Sequence, residues 1–283
     1  MPSKSHSISK RRVAFQGEIG AYSEQAAFAF FGPEIELVPQ PTFRALFRSV
    51  ADSHADSAVV PIENSLAGSV HENYDLLLQY RLPIVGEIIL RIVHHLLVLP
   101  GVKKEEVRRV LSHPQALEQC RAYLEKWEGV IVEPAYDTAA SAKRLMAEDL
   151  RDAAAIASQQ AAAEYGLEII ESGIESNHEN HTRFLILERE EKPPAENAKT
   201  SIVFSFRDMA GALFKCLAVF ALRDINLLKI ESRPLHGQPF RYYFYLDFEG
   251  SLADEAARNA IQNLREITTF LEVLGSYPAG RFV

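Results

Sequence analysis

The chain is poor in cysteine. Its 283 residues hold two, Cys120 and Cys216, far apart and each inside an apolar helical pattern. That excludes a disulfide framework and fits buried thiols in a reducing, cytoplasmic setting. Long hydrophobic runs are missing too. No stretch approaches the roughly 20 apolar residues that span a bilayer, which argues against a membrane protein. The opening "MPSKSHSISKRR" is polar and basic with no apolar core behind it, so it reads as a loose tail. Positive charge is not in excess. The net charge of -8 argues against general nucleic-acid binding, which relies on basic patches. Low-complexity segments and short internal repeats are absent.

What is present is the balance of an ordinary globular protein, 47% hydrophobic and 24% charged, in a chain long enough for more than one domain. The segment "EREEKPPAENAKT", Glu188 to Thr200, is charged, holds two prolines and lacks an apolar run. It reads as a linker over 189–199 between a first region, 11–188, and a second, 200–278.

One grammar recurs in the first region. A short apolar, β-branched run ends on a small polar residue, and a helical pattern begins. Strand Val13 to Gln16 leads through a glycine-bearing loop to Ser23. Strand Ala58 to Ile62 leads to Glu63, Asn64 and Ser65, and Arg109 to Leu111 leads to Ser112, His113 and Pro114. Asp137 or Thr138 opens another helix. Ala154 to Ala157 leads to Ser158, with Gly166 as the stop. Alternating strands and helices predict α/β architecture with largely parallel sheets, in which ligands bind beyond the C-terminal strand ends. Capped helix N-termini there are anion sites, so an acidic chain can hold a small anion locally. Each such cap also serves structure alone. The loop Gly17-Glu18-Ile19-Gly20 lacks the spacing of a dinucleotide fingerprint, and no nucleotide site is expected.

The first region divides into two lobes, about 11–100 with 183–190 and about 101–182, joined by crossing segments such as the apolar "VGEIILRIVHHLLVLP". One crossing segment is "ESNHENHTRFLIL", Glu175 to Leu187. It contains a glycosylation-type triplet, Asn180-His181-Thr182, and two histidines, His178 and His181. Nothing places the chain in a secretory route, and the histidines lack a third ligand at recognisable spacing, so no metal is expected. The segment is instead expected to deliver Thr182 and Arg183 to a cleft.

After the linker the order becomes βαββαβ, a ferredoxin-like split unit. Its first helix, "GALFKCLAVFALRD", carries Leu213, Leu217 and Phe220 on one face, and its second carries Ala257, Ile261, Leu264 and Leu271. The alternative is a dimerisation domain without a ligand.

The motifs "QGEIGAYSEQAA", "VPIENSLAGSVHENYDLL", "SHPQALEQC", "DTAASAKRL", "AAIASQQAAAEYGL" and "NHTRFLIL" resemble those of the prephenate dehydratase family. "GALFKCLAVFALRDINLLKIESRP" and "LEVLGSYP" resemble an ACT regulatory domain that binds phenylalanine. The resemblance runs from about Arg12 to Tyr277. It departs at Ala21-Tyr22-Ser23, where many members carry Thr-Phe-Ser. It implies a two-lobed catalytic body like a periplasmic binding protein, followed by the ACT domain, in a monofunctional enzyme. It further implies a carbon–oxygen lyase that takes water and carbon dioxide from prephenate to give phenylpyruvate, on the route to phenylalanine, without a cofactor. Carried onto this sequence, Thr182, Arg183, Phe184, Glu63, Asn64 and Ser65 become catalytic candidates. Ser23, Ser112, His113, Gln115, Thr138, Ser158 and Asn180 become substrate-binding ones, with His113 open to a purely capping role. Asp208, Ala210, Gly211, Ala212, Leu213, Asn226, Leu227, Glu231 and Ser232 become the expected site for phenylalanine as allosteric effector, between the ACT domains of a homodimer or a dimer of dimers. Arogenate as substrate, or a non-enzymatic amino-acid sensor, are the alternatives.

Overall fold

The computed structural model describes residues 10–193, 198–235 and 237–283. Residues 1–9 of the expected tail, 194–197 of the expected linker and His236 lie outside the described residues. By contacts the chain divides into two compact units. One comprises the residues up to Asn73 with Ile88–Phe184 and Phe282–Val283, and the other Tyr74–Glu87 with Leu185–Arg281.

The chain begins with β1 (Arg11–Gln16), α1 (Tyr22–Phe31), β2 (Ile35–Gln40), α2 (Phe43–Ala51), β3 (Ser57–Asn64), β4 (Gly68–Ser69), α3 (His71–Tyr80) and β5 (Ile84–Arg91). It continues with β6 (His95–Val98), β7 (Arg109–Ser112), α4 (Pro114–Gln119), α5 (Arg121–Leu124), β8 (Ile131–Pro134), α6 (Thr138–Ala147), β9 (Ala153–Ala157), α7 (Gln159–Tyr165), β10 (Glu168–Ser172) and β11 (His181–Glu188). Then follow β12 (Ala198–Ser205), α8 (Ala212–Ala221), β13 (Leu227–Pro234), β14 (Tyr242–Glu249), α9 (Glu255–Ile267), β15 (Phe270–Pro278) and β16 (Arg281–Phe282).

Most of the helix starts named from the sequence are present, each for a local reason. His113 Nδ1 accepts the Gln115 N–H, and Pro114 takes the first position, where its missing N–H costs nothing. Asp137 accepts from Ala139 and Ala140, and Ser158 accepts from Ala161. Gly166 ends α7 in the left-handed region at φ 62. Two starts differ. Helix α1 is preceded by Ala21, which offers no side-chain cap, so Ser23 lies inside the first turn. After β3 no helix starts at once. Asn64 Oδ1 accepts the N–H groups of Leu66 and Ala67, the chain turns back through β4, and α3 begins at His71.

Strands β1 to β11 with β16 form two sheets, in keeping with the α/β class read from the sequence. One has the order β16-β5-β11-β3-β1-β2 with β4 on β3, and the other the order β10-β6-β9-β7-β8. Strand β1 runs parallel to β2 and β3, and β7 runs parallel to β8 and β9. Strand β6 is antiparallel to both β9 and β10, so the second sheet is mixed. Parallel pairing brings several C-terminal strand ends to one edge of each sheet. The core behind the second sheet is apolar and small-residue rich, with Ala153 to Ala157, Leu96 to Val98 and Cys120 all fully or almost fully buried.

The second unit contains a four-stranded antiparallel sheet, β13-β14-β12-β15, with α8 and α9 packed on it. That is the ferredoxin-like order. Phe204, Phe220, Phe248, Ile202 and Leu264 form its core. The unit also takes in 74–87, which the sequence assigns to the first region. Side-chain bonds explain the difference. Arg233 pairs with Asp75 at 2.8 Å, the Tyr245 hydroxyl donates to the Tyr74 carbonyl at 2.8 Å, and Lys199 pairs with buried Glu87 at 2.7 Å.

Candidate active site

A cavity of about 570 Å³ opens in the first unit among strand ends and helix starts. Gln16 ends β1. Ala21, Tyr22 and Ser23 belong to the start of α1, Thr42 and Phe43 to that of α2, and Asp137 and Thr138 to that of α6. His113, Gln115 and Ala116 come from the turn into α4. Helix N-termini expose unpaired N–H groups and the positive end of the dipole, so several point the same sign of potential into one space. Among the described lining residues there is no lysine or arginine, and Glu72 and Asp137 bring carboxyl groups.

Strand β11 supplies the far wall. Thr182 and Phe184 line the cavity, whereas Arg183 between them does not. Alternation along a strand is the reason, since neighbouring side chains point to opposite faces. The same parity places Asn64 of β3 at the cavity and Glu63 away from it. On that other face Arg183 lies 4.0 Å from the Glu63 carboxylate. In this arrangement the neighbour of Arg183 is Glu63 on the adjacent strand rather than the cavity.

Behind Thr182 lies a ring of three amides. Asn64 Nδ2 donates to Asn180 Oδ1 at 2.8 Å, Asn180 Nδ2 to Gln119 Oε1 at 3.0 Å, and Gln119 Nε2 to Asn64 Oδ1 at 3.3 Å. Asn64 Nδ2 also reaches the His181 carbonyl at 3.1 Å and Thr182 Oγ1 at 3.0 Å. Thr182 thus accepts that bond and keeps its own O–H to give. His94 Nε2 meets Gln119 Oε1, and His94 Nδ1 meets the Tyr22 hydroxyl, both at 2.8 Å. Burial pushes His94 below its ordinary value of 6.5.

The remaining sequence candidates sort by what they touch. Ser23, Gln115, Thr138, Asn64, Thr182, Phe184 and His113 line the cavity, and His113 also caps α4. Ser112 and Ser158 do not line it. Their hydroxyls are spent on the backbone, on the Ile156 and Gly20 carbonyls, each at 2.6 Å. Ser65 ties down the segment before β11, donating to the Glu179 carbonyl at 2.8 Å and accepting the His181 N–H at 2.9 Å. Asn180 is fully buried in the amide ring and supports Thr182 from behind. His178 and His181 part company. His178 Nδ1 lies 3.2 Å from Glu175, and the His181 ring packs edge-on against Phe282.

Sequence reasoning missed Tyr22, His94, Gln119, Tyr136 and Asp137 as lining residues. Asp137 also caps α6. Burial holds its carboxyl above the usual range. Gln119 carried a usable signal, since it follows Gln115 by one helical turn and so shares its face. In the second unit, Asp208 and Ala210 lie in the exposed loop before α8, and Gly211 is its N-terminal cap at φ 72. Ala212 and Leu213 form the first turn. Asn226, whose carbonyl accepts the Glu249 N–H, precedes β13, the strand that carries Leu227, Glu231 and Ser232.

Residues 13–192 match the family model for prephenate dehydratase. The Arabidopsis thaliana protein named arogenate dehydratase/prephenate dehydratase 2, chloroplastic, is 53% identical over 281 residues, spanning 95% of this chain and 73% of that one. A prephenate dehydratase from Arthrobacter aurescens, solved in complex with L-Phe, is 31% identical with a TM-score of 0.87, covering 94% of this chain and 90% of that one. GqqA, described as a novel type of quorum-quenching acylase, is 35% identical with the same TM-score of 0.87, covering 95% and 98%. The chloroplastic relative overturns the cytoplasmic setting expected from the cysteines. Two buried thiols report that no disulfide is made and do not name a compartment. The match over 13–192 and the 53% identity show that the chain belongs to the prephenate dehydratase family, the dehydratases of phenylalanine biosynthesis.

Proposed function

We propose that the chain eliminates water and carbon dioxide from prephenate or arogenate at the cavity around Thr182, and that L-phenylalanine regulates it through 200–278 acting as an ACT domain. The observation that carries this reading is the Thr182 hydroxyl, held at 3.0 Å by Asn64 as an acceptor and free to donate into the cavity. The ring C–O bond breaks and its oxygen leaves as water after taking a proton. The bond to the ring carboxylate breaks and its electron pair enters the ring, which becomes aromatic. A hydrogen bond to the departing oxygen is the help such a step needs, and threonine is too weak an acid to do more than donate or relay one. Phe184, 2% exposed, keeps that wall dry, and a carboxylate without water loses carbon dioxide more readily. The helix starts hold the carboxylates in place of a cationic side chain.

Prephenate and arogenate differ in one group, a keto oxygen against an ammonium. The relative named for both substrates and the carboxyl groups of Glu72 and Asp137 in the cavity support arogenate as a second reading. The Arthrobacter enzyme with bound L-Phe and the βαββαβ order support the regulatory half. We take the assembly to be a dimer or dimer of dimers. The test is turnover of each purified substrate, with and without L-phenylalanine. Phenylpyruvate from prephenate, or phenylalanine from arogenate, is the expected product. Inertness toward both removes the reading.

A further inference from the structure

The backbone sets the sense of the amide ring. Asn64 Oδ1 accepts the N–H groups of Leu66 and Ala67 at 3.1 and 2.9 Å, so its Nδ2 must be the end facing Asn180 and Thr182. Gln119 must then offer nitrogen to Asn64 Oδ1 and turn its oxygen to Asn180 Nδ2 and His94 Nε2. An amide oxygen only accepts, so His94 Nε2 carries a hydrogen. In the neutral ring Nδ1 accepts, and the Tyr22 hydroxyl at 2.8 Å is its donor, shared with the Val93 carbonyl at 2.8 Å. Glu175 holds the His94 backbone N–H at 3.0 Å and fixes the residue from the other side.

We propose that His94 is a positioning residue of the dehydratase site. Its Nε2–H holds the orientation of Gln119, and through the amide ring it keeps the Thr182 hydroxyl turned to donate toward the substrate. Without that hydrogen Gln119 is held only by Asn64 and Asn180, its amide oxygen loses one of its two donors, and the ring that backs Asn64 against Thr182 is held less rigidly. The chain of donors runs Tyr22, His94, Gln119, Asn64, Thr182, and its two ends and its middle all line the cavity. This rests on the reading of Thr182 as the donor to the departing oxygen.

The test is steady-state kinetics of His94→Gln, His94→Asn and His94→Leu, with His94→Leu repeated on Thr182→Val, and circular dichroism and melting for each. Glutamine puts an N–H where Nε2 lies, whereas asparagine reaches only as far as Nδ1. The Gln variant is expected to keep kcat within about threefold, and the Asn and Leu variants to lose about 10- to 100-fold in kcat with KM little changed. On Thr182→Val, His94→Leu is expected to cost nothing further, because its effect runs through that hydroxyl. Equal impairment of the Gln and Asn variants overturns the proposal, as does a full loss on top of Thr182→Val. If the Leu variant does not fold, the Gln–Asn comparison decides. Normal turnover by Thr182→Val removes the donor role of Thr182 itself, and the proposal with it. An impaired Thr182→Val beside a fully active His94→Leu removes only the role of His94.

Discussion

Asn64 gives a hydrogen bond from its side-chain nitrogen to the hydroxyl of Thr182, 3.0 Å away, across 118 positions of sequence. The direction of that bond matters more than its length. A threonine that accepts has its hydrogen left for another partner, and the cavity is where that partner would sit. Asn64 is itself over-determined, being held by two backbone N–H groups and by two other amides.

Replacing Thr182 by valine should therefore leave the fold intact and remove turnover. Asn64 Nδ2 keeps Asn180 Oδ1 at 2.8 Å and the His181 carbonyl at 3.1 Å, so no buried donor is orphaned. Losing the donated hydrogen bond should lower kcat by about 10²- to 10⁴-fold, the usual span for such a group. Thr182→Ser should restore most of it. Kinetics on prephenate and arogenate, beside an unchanged melting curve, check this.

Gly20 is expected to tolerate no side chain. Its φ is +90, and a Cβ there would meet Ala161 Cα at 2.7 Å. The loop cannot relax outward, because the Gly20 carbonyl accepts from Ser158 at 2.6 Å and its N–H goes to Glu24. Gly20→Ala should cost about 1–3 kcal/mol of stability from backbone strain alone. Ala21, Tyr22 and Ser23 follow directly at the cavity, so KM should rise as well. Urea unfolding and substrate titration measure the two effects separately.

Acid should weaken the fold from about pH 6.5 downward. Burial lowers His94 and His95 below their ordinary value of 6.5. As pH falls through 6.5 the unfolded chain takes up protons at these sites while the folded chain does not, so the unfolded state gains. Asp137 and Glu24, whose carboxyls burial raises, act in the opposite sense above their ordinary values of 3.8 and 4.5. Replacing one histidine isolates its share. Wild-type urea midpoints should fall between pH 7.5 and 5.5, and the fall should be shallower in His94→Gln. An equal slope in both proteins would assign the effect elsewhere.

The fold was legible because its signals are local. Apolar runs such as Val13 to Phe15 and Ala153 to Ala157 are buried strands, and Asp137, Ser158 and Pro114 mark helix starts by chemistry that needs no partner far away. Motifs point to the cavity at Thr182, Asn64 and Phe184, which line it. The motif around Arg183 does not say which face of β11 it occupies, and strand parity turns it away from the cavity. His94 and Gln119 were overlooked because their role is a bond between residues 25 apart in sequence, which periodicity cannot reveal. Ser112 and Ser158 sit at the expected strand ends, but their hydroxyls face backbone carbonyls.

Gly211 offers a test of the proposed effector site that separates backbone shape from bulk. It caps α8 at φ 72 and ψ 13, and nothing lies within 4 Å of where a Cβ would be. Space is therefore available, and only conformation resists substitution. Asparagine enters the left-handed region with little strain, whereas a β-branched residue does not. Gly211→Val should displace the turn that leads Asp208 and Ala210 into Ala212 and Leu213, and Gly211→Asn should leave it in place. With coupling of ordinary size, the L-phenylalanine concentration for half-inhibition should rise about tenfold in the valine variant. It should change little in the asparagine variant, and uninhibited turnover should be the same in both. Unchanged inhibition in Gly211→Val would take this turn out of the effector site. Weakened inhibition in both would show that the missing Cβ, not the φ angle, is what the effector requires.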